Sequence, residues 1–206
     1  MEMNILELAQ KGGWIMAVLG LMLVVAVYIF FERYFTLRRA SKDDPLFMDR
    51  IRDYLKDGDV RSAVNFCRNT NTPSARIIER GISRMGQPAQ DIQTAIENTG
   101  NLEVATLEKR LAVLSTIAGV GPMIGFLGTV IGMVRAFWEM SNAGNNIDIS
   151  MLSGGIYEAM VTTVGGLIVG IVALFGYNYL VAKVDGVVNE LEHKSLAFMD
   201  LMNEDK

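Results

Sequence analysis

Residues 154–178 read GGIYEAMVTTVGGLIVGIVALFGYN, and after Glu158 no charge recurs until Lys183. The 24 residues between them, Ala159 to Ala182, are all uncharged. As a helix they extend roughly 36 Å at about 1.5 Å per residue, against a hydrocarbon core of about 30 Å. The stretch can cross a bilayer with tilt to spare, and it begins with a carboxylate. An acid at mid-bilayer costs about 2.5–3.5 kcal/mol on insertion scales, so it is seldom placed there without a use.

Two rows of side chains run along this helix. Ala159, Thr163, Gly166, Gly170, Ala173 and Tyr177 recur at four- and three-residue steps, and all but the last are small. Small residues let helix backbones approach in lipid, where dispersion contact holds helices together. Beside them Glu158, Thr162, Gly165 and Val169 form a row that carries the acid. The helix is built to sit among other helices.

Working outward, residues 14–31 (WIMAVLGLMLVVAVYIFF) are 18 without charge, and residues 111–134 are 24 without charge between Arg110 and Arg135. Three runs of spanning length predict an all-α polytopic membrane protein with three transmembrane helices. Ala118, Gly121, Gly125, Gly128 and Gly132 make a second small-residue stripe in the middle run, where Pro122 removes a backbone donor and permits a kink. Thr129 lies beside that stripe, and its hydroxyl can bond back to a carbonyl of its own helix. Arg135 and Glu139, four apart, read as an interfacial pair.

Fourteen of the 19 Lys and Arg fall within residues 32–110, so the positive-inside rule places that segment and the tail in the cytoplasm. The resulting layout is an outer N-terminal segment 1–13, spans 14–31, 111–138 and 151–182, a cytoplasmic region 32–110, an outer turn 139–150 and a cytoplasmic tail 183–206. Glu2 and Glu7 against Lys11 are the wrong flank for a cleaved signal, so the first run reads as a retained anchor. Ile5, Leu6, Leu8 and Ala9 suggest an amphipathic turn at the outer interface, with Trp14 as an aromatic anchor.

The cytoplasmic insert reads as short helices. Asp44-Pro45 opens the first as cap and first helical residue, with Leu46, Phe47, Ile51 and Leu55 on its apolar side, and Gly58 closes it. Asp59 opens the second, with Val60, Ala63, Val64 and Cys67 on one face. Asn71-Thr72-Pro73 starts a third that runs to Gly86. After Pro88 an apolar line (Ile92, Ala95, Ile96, Leu102, Thr106, Leu107) leads straight into the second span as one long helix. Beyond Lys183, Val184, Val187, Val188, Leu191, Phe198 and Leu201 keep the helical period for about six turns, a long cytoplasmic extension.

The net charge of −4 and the lack of a basic aromatic stripe exclude nucleic acid as a partner. Cys67 is the only cysteine and His193 the only histidine, and His193 sits among charges in the tail. No P-loop, metal-ligand spacing or serine–histidine arrangement occurs; Gly119-Val120-Gly121 has the wrong spacing for nucleotide and lies in lipid. No cofactor or metal site is expected, and an integral-membrane enzyme lacks a second acid or histidine at membrane depth. Two readings remain. One is an ion-driven motor subunit, which needs a partner because this chain holds too few ionisable groups in its spans. The other is a passive oligomerisation scaffold.

GPMIGFLGTV at 121–130, and GIYEA at 155–159 followed by Thr163 and Gly166-Leu167, are similar to the signatures of the MotA/TolQ/ExbB proton channel family, closest to its ExbB and TolQ branches. Glu32-Arg33, and Gly58-Asp59 with Ala63 and Cys67, also fit. The resemblance implies a homopentamer in the bacterial inner membrane, with its N-terminus in the periplasm. The second and third spans would line a pore around an ExbD- or TolR-like one-span protein that supplies the main proton-carrying aspartate. Proton flow would energise a TonB- or TolA-like protein. Glu158, Thr129 and Thr163, with the adjacent Thr162, match the polar pore positions. Two departures stand out. Val172 occupies a position where the family often has proline. And Glu158 and Thr163 lie about 140° apart on an ideal helix. Either a broad arc lines the pore, or one of the two faces a neighbouring subunit.

Overall fold

The computed structural model describes residues 12–41, 44–142 and 149–204, and these are helical apart from turns. The amphipathic N-terminal turn and residues 143–148 of the 139–150 connection lie outside the described residues. Helix α1 is Gly13–Ala40, α2 Phe47–Lys56, α3 Val60–Thr70, α4 Pro73–Ile82, α5 Ala89–Glu108, α6 Leu111–Asn142 and α7 Ile149–Glu204. Three stretches, in α1, in α6 and in α7, are long and apolar enough to cross a membrane. The chain is an all-α polytopic membrane protein.

It divides into two compact units. One holds the chain up to Phe31 together with Arg110–Tyr179; the other holds Glu32–Lys109 and the chain from Leu180. In the first unit the α6 and α7 stripes face each other, and Ile15, Leu19 and Ala26 of α1 are buried. Many large apolar side chains point outward, Met123, Phe126, Trp138 and Phe175 among them. In water that would be a fault; in lipid it is the ordinary outer face of a span.

The second unit is a conventional core of short amphipathic helices. Phe47, Ile51, Ala63, Cys67, Ile78, Ile82, Ile96 and Phe198 are buried. Phe198 lies against Gly81, where an added methyl would sit 2.6 Å from its ring. Only a glycine admits that ring. The turns follow from their residues. Gly58 (φ 73°) ends α2 with Asp59 N donating to the Tyr54 carbonyl and Gly58 N to that of Leu55, so both orphan carbonyls are satisfied. The Asp59 carboxylate then accepts from Ser62 N at 3.0 Å to start α3, and the Thr72 hydroxyl accepts from Ala75 N at 3.3 Å to start α4.

Four expectations need correction. Asp44-Pro45 does not enter the helix: the Asp44 carboxylate accepts from Leu46 N in a turn, and α2 begins at Phe47. The third cytoplasmic helix stops at Ile82, because residues 83–86 turn and Gly86 takes φ 90°. Leu102 and Thr106 are exposed and off the core line of α5. And the long helix is interrupted at Lys109 (ψ 133°) and Arg110 (φ 68°). Beside the break Arg33, only 6% exposed, donates to the Thr106 carbonyl at 3.2 Å while Glu32 pairs with its guanidinium at 2.6 Å. A cation on one of the last carbonyls of α5 suits the negative end of the helix.

Candidate functional site

The site is built where α6 and α7 touch most closely. A methyl placed at Gly125 would fall 2.8 Å from the Thr162 carbonyl oxygen and 2.9 Å from Gly166 Cα. One at Gly166 would fall 2.7 Å from both the Gly121 carbonyl oxygen and Gly125 Cα. One at Gly132 would meet the Ala159 methyl at 2.9 Å, and one at Gly128 the Thr162 Cβ at 2.7 Å. Gly170 lies against Pro122 and 3.0 Å, by the same measure, from the Ala118 carbonyl, which the proline leaves without its helical donor. Ala173 is buried. The two stripes read from sequence are thus one seam between spans, and Gly155 against Ala136 extends it by a turn.

Backbone contact this close exposes carbonyls to the opposite helix, and three threonines use them. Thr162, 2% exposed, donates to the Ala159 carbonyl at 2.7 Å and lies 3.3 Å from that of Gly125. Thr163 reaches the Gly125 carbonyl at 3.3 Å. The Thr129 hydroxyl meets that of Thr163 and lies 3.2 Å from the Ala159 carbonyl and 3.4 Å from that of Gly125 in its own helix. Thr129 therefore makes the self-helix contact expected of a membrane threonine and also crosses to α7. The cluster can relay hydrogen-bond direction across the seam. It holds no charge, since hydroxyls neither gain nor lose a proton under ordinary conditions.

Glu158 stands apart from these three. A methyl on Gly13, at the start of α1, would lie 3.2 Å from its Oε1, and one on Gly12 would lie 3.5 Å from Thr162 Cγ2. Gly165, from the same row, meets Met16 of α1. So Glu158 and Gly165 of the acid-bearing row face the start of α1, while Thr162 and Val169 of the same row also touch α6 beside the small-residue row. The 140° between Glu158 and Thr163 turns them to different neighbours within this chain, Glu158 to the start of α1 and Thr163 to α6. Helical periodicity does not reach Gly12 and Gly13; their signal in the sequence is a glycine pair directly before an apolar run, and in the structure Gly13 takes φ 62°. Arg135 and Glu139 do pair, at 3.0 Å. Among the described residues no three His, Cys, Asp or Glu side chains gather as metal ligands.

Comparison with known proteins converges on one family. The family model described as MotA/TolQ/ExbB proton channel family matches residues 69–193. A biopolymer transport protein ExbB homolog of Methanothermobacter thermautotrophicus is 26% identical over 190 residues, 92% of this chain and 67% of that protein. The ExbB-like 3 biopolymer transport protein of Synechocystis is 30% identical over 170 residues, covering 81% of this chain and 80% of its own. The Tol-Pal system protein TolQ of Haemophilus influenzae is 29% identical over 201 residues, 90% and 88% of the two chains.

Proposed function

We propose that this chain, which belongs to the MotA/TolQ/ExbB proton channel family, is the ExbB-like subunit of an inner-membrane, proton-driven motor that energises TonB-dependent transport across the outer membrane. It is a channel and transport subunit and not an enzyme. In this reading the N-terminus and the 139–150 turn are periplasmic, residues 32–110 and 183–206 are cytoplasmic, and spans 14–31, 111–138 and 151–182 assemble with other copies into a pentamer within membrane lipid.

The observation that carries the reading is chemical. The spans hold three threonine hydroxyls on a shared pair of carbonyls and one carboxylate, Glu158, which none of those hydroxyl bonds reaches. Hydroxyls can pass hydrogen-bond polarity and a carboxylate can take or release a proton, but one acid makes no path across a bilayer. The missing acid is the membrane aspartate of an ExbD- or TolR-like one-span protein seated in the ring. Thr129, Thr162 and Thr163 solvate its approach, and Glu158 tunes proton access to it. The potential supplies about 2.3 kcal/mol per charge per 100 mV, enough to bias such a group between two sides. The work is delivered to a TonB-like protein.

The test is purification of the tagged chain from native membranes. A co-purifying one-span protein with an aspartate in its span is expected. A ring without one would leave the passive scaffold. The similarity to TolQ over 88% of that protein's length favours a second reading, a TolQ-like subunit acting on a TolA-like protein in envelope integrity. Complementation separates them: restored TonB-dependent uptake supports the first, and restored detergent resistance of a cell lacking TolQ supports the second.

A further inference from the structure

In the unit formed by Glu32–Lys109 and the chain from Leu180, α5 carries a groove on each of two nearly opposite sides. The first, about 320 Å³, lies toward α4, where Arg80 and Arg84 stand over Asp91, Asn98 and Leu102. The second, about 540 Å³, lies toward the end of α7, where Glu97 and Glu192 flank Ile96, Leu191 and Leu196. Along α5 the first side is stepped by Asp91, Thr94, Asn98 and Leu102, the second by Gln93, Glu97, Asn101 and Val104. At 3.6 residues per turn these lines are about half a turn apart.

Their chemistry is opposite. The first groove carries two guanidiniums against one carboxylate; the second carries two carboxylates and no cation. Among the described residues none of Arg80, Arg84, Glu97 and Glu192 forms an ion pair; Arg84 donates only to Gln87, and Glu97 accepts only from Gln93. Each groove also has one leucine turned outward, Leu102 at 70% exposure and Leu196 at 66%. Each exposed leucine leaves apolar surface to water, and each groove offers the charge that the other lacks.

We propose that the two grooves are mates: the basic groove of one copy seats against the acidic groove of the next, with Arg80 and Arg84 facing Glu97 and Glu192, and Leu102 covered near Leu196. The two surfaces differ, so the contact is head-to-tail, and a head-to-tail contact repeated around an axis closes into a ring. The charges set partner and register and the leucines supply apolar burial. The inference rests on the ring proposed above and deepens it by naming the contact.

The test uses the full chain in membranes, with Cys67→Ala as background. Carrying Leu102→Cys and Leu196→Cys together, it should form a ladder of disulfide-linked multimers on mild oxidation. Two singly substituted copies expressed together should stop at dimers, and either alone should give none. Arg80→Glu with Arg84→Glu should abolish the ladder, as should Glu97→Arg with Glu192→Arg. All four reversals together should restore it, which also shows that the reversed chains fold. A ladder insensitive to reversal, Leu102→Cys linking to itself, or linkage to another protein overturns the proposal. Native mass separates the remaining cases. A ring without a ladder sinks this contact alone, whereas a chain that is monomeric sinks the ring as well.

Discussion

Gly166→Ala and Gly186→Ala make the same chemical change in the same helix, and the structure assigns them opposite outcomes. At Gly186 an added methyl meets nothing within 4 Å. The substitution should bring only the helix-propensity gain of alanine over glycine, about 0.8–1 kcal/mol. At Gly166 the methyl would lie 2.7 Å from the Gly121 carbonyl oxygen and from Gly125 Cα. Both are backbone atoms, so neither can turn aside. Restoring ordinary contact requires α6 and α7 to part by roughly 0.5–1 Å, a gap that forfeits a quarter to a half of each dispersion contact along the seam. Overpacking of this kind costs about 1–3 kcal/mol. The propensity gain is common to both variants and cancels in their difference, which should therefore be about 1–3 kcal/mol, with Gly166→Ala the less stable. Thermal unfolding of the detergent-solubilised chain, followed by the fluorescence of Trp14 and Trp138, reads it out. Equal stabilities, or a more stable Gly166→Ala, would refute the seam.

Thr129→Val and Thr163→Val keep shape and remove a hydroxyl from the cluster, so assembly should survive while energised transport falls; full transport in both would leave these hydroxyls a purely local role. Glu158→Ala should abolish proton-driven work with ring and partner still assembled, and Glu158→Asp should retain part of it. Undiminished activity of the alanine variant would make Glu158 a structural acid. Burial pushes the Cys67 thiol up to about 12 from 9.0, so the folded chain should resist alkylation at pH 8 and react only on unfolding. Prompt labelling of the native chain would contradict its place in the core.

Much of this architecture is legible in residue order because its causes are local. A run without charge either crosses lipid or is buried, and glycines stepping by three and four mark the face that another helix touches. Caps at Asp59 and Thr72 and the closing glycine at Gly58 act within a few residues of themselves. What escaped was set by distant partners. No glycine or proline marks the break at Lys109-Arg110; beside it Arg33, 73 residues from Thr106, engages the Thr106 carbonyl near the end of α5. Leu102 fits a helical wheel yet stays exposed, in the open groove that α5 forms beside α4. Likewise the helical wheel separates Glu158 from Thr163 but does not say that the start of α1 stands beside Glu158.

The threonine cluster contains three hydroxyl hydrogens and more acceptors within reach than they can satisfy at once. The 2.7 Å bond to Ala159 settles Thr162, while Thr129 and Thr163 can exchange the roles of donor and acceptor. Such a set behaves like a fragment of ice: oxygens fixed, hydrogens distributed over several arrangements of similar energy. An electric field selects among them by turning hydroxyl dipoles, without displacing a backbone atom. The seam is thus a small dielectric reservoir inside a medium that otherwise polarises weakly. If a charge passes beside it, as the proposed function requires, a reorientation of dipoles would answer it and lower the self-energy of that charge within the bilayer.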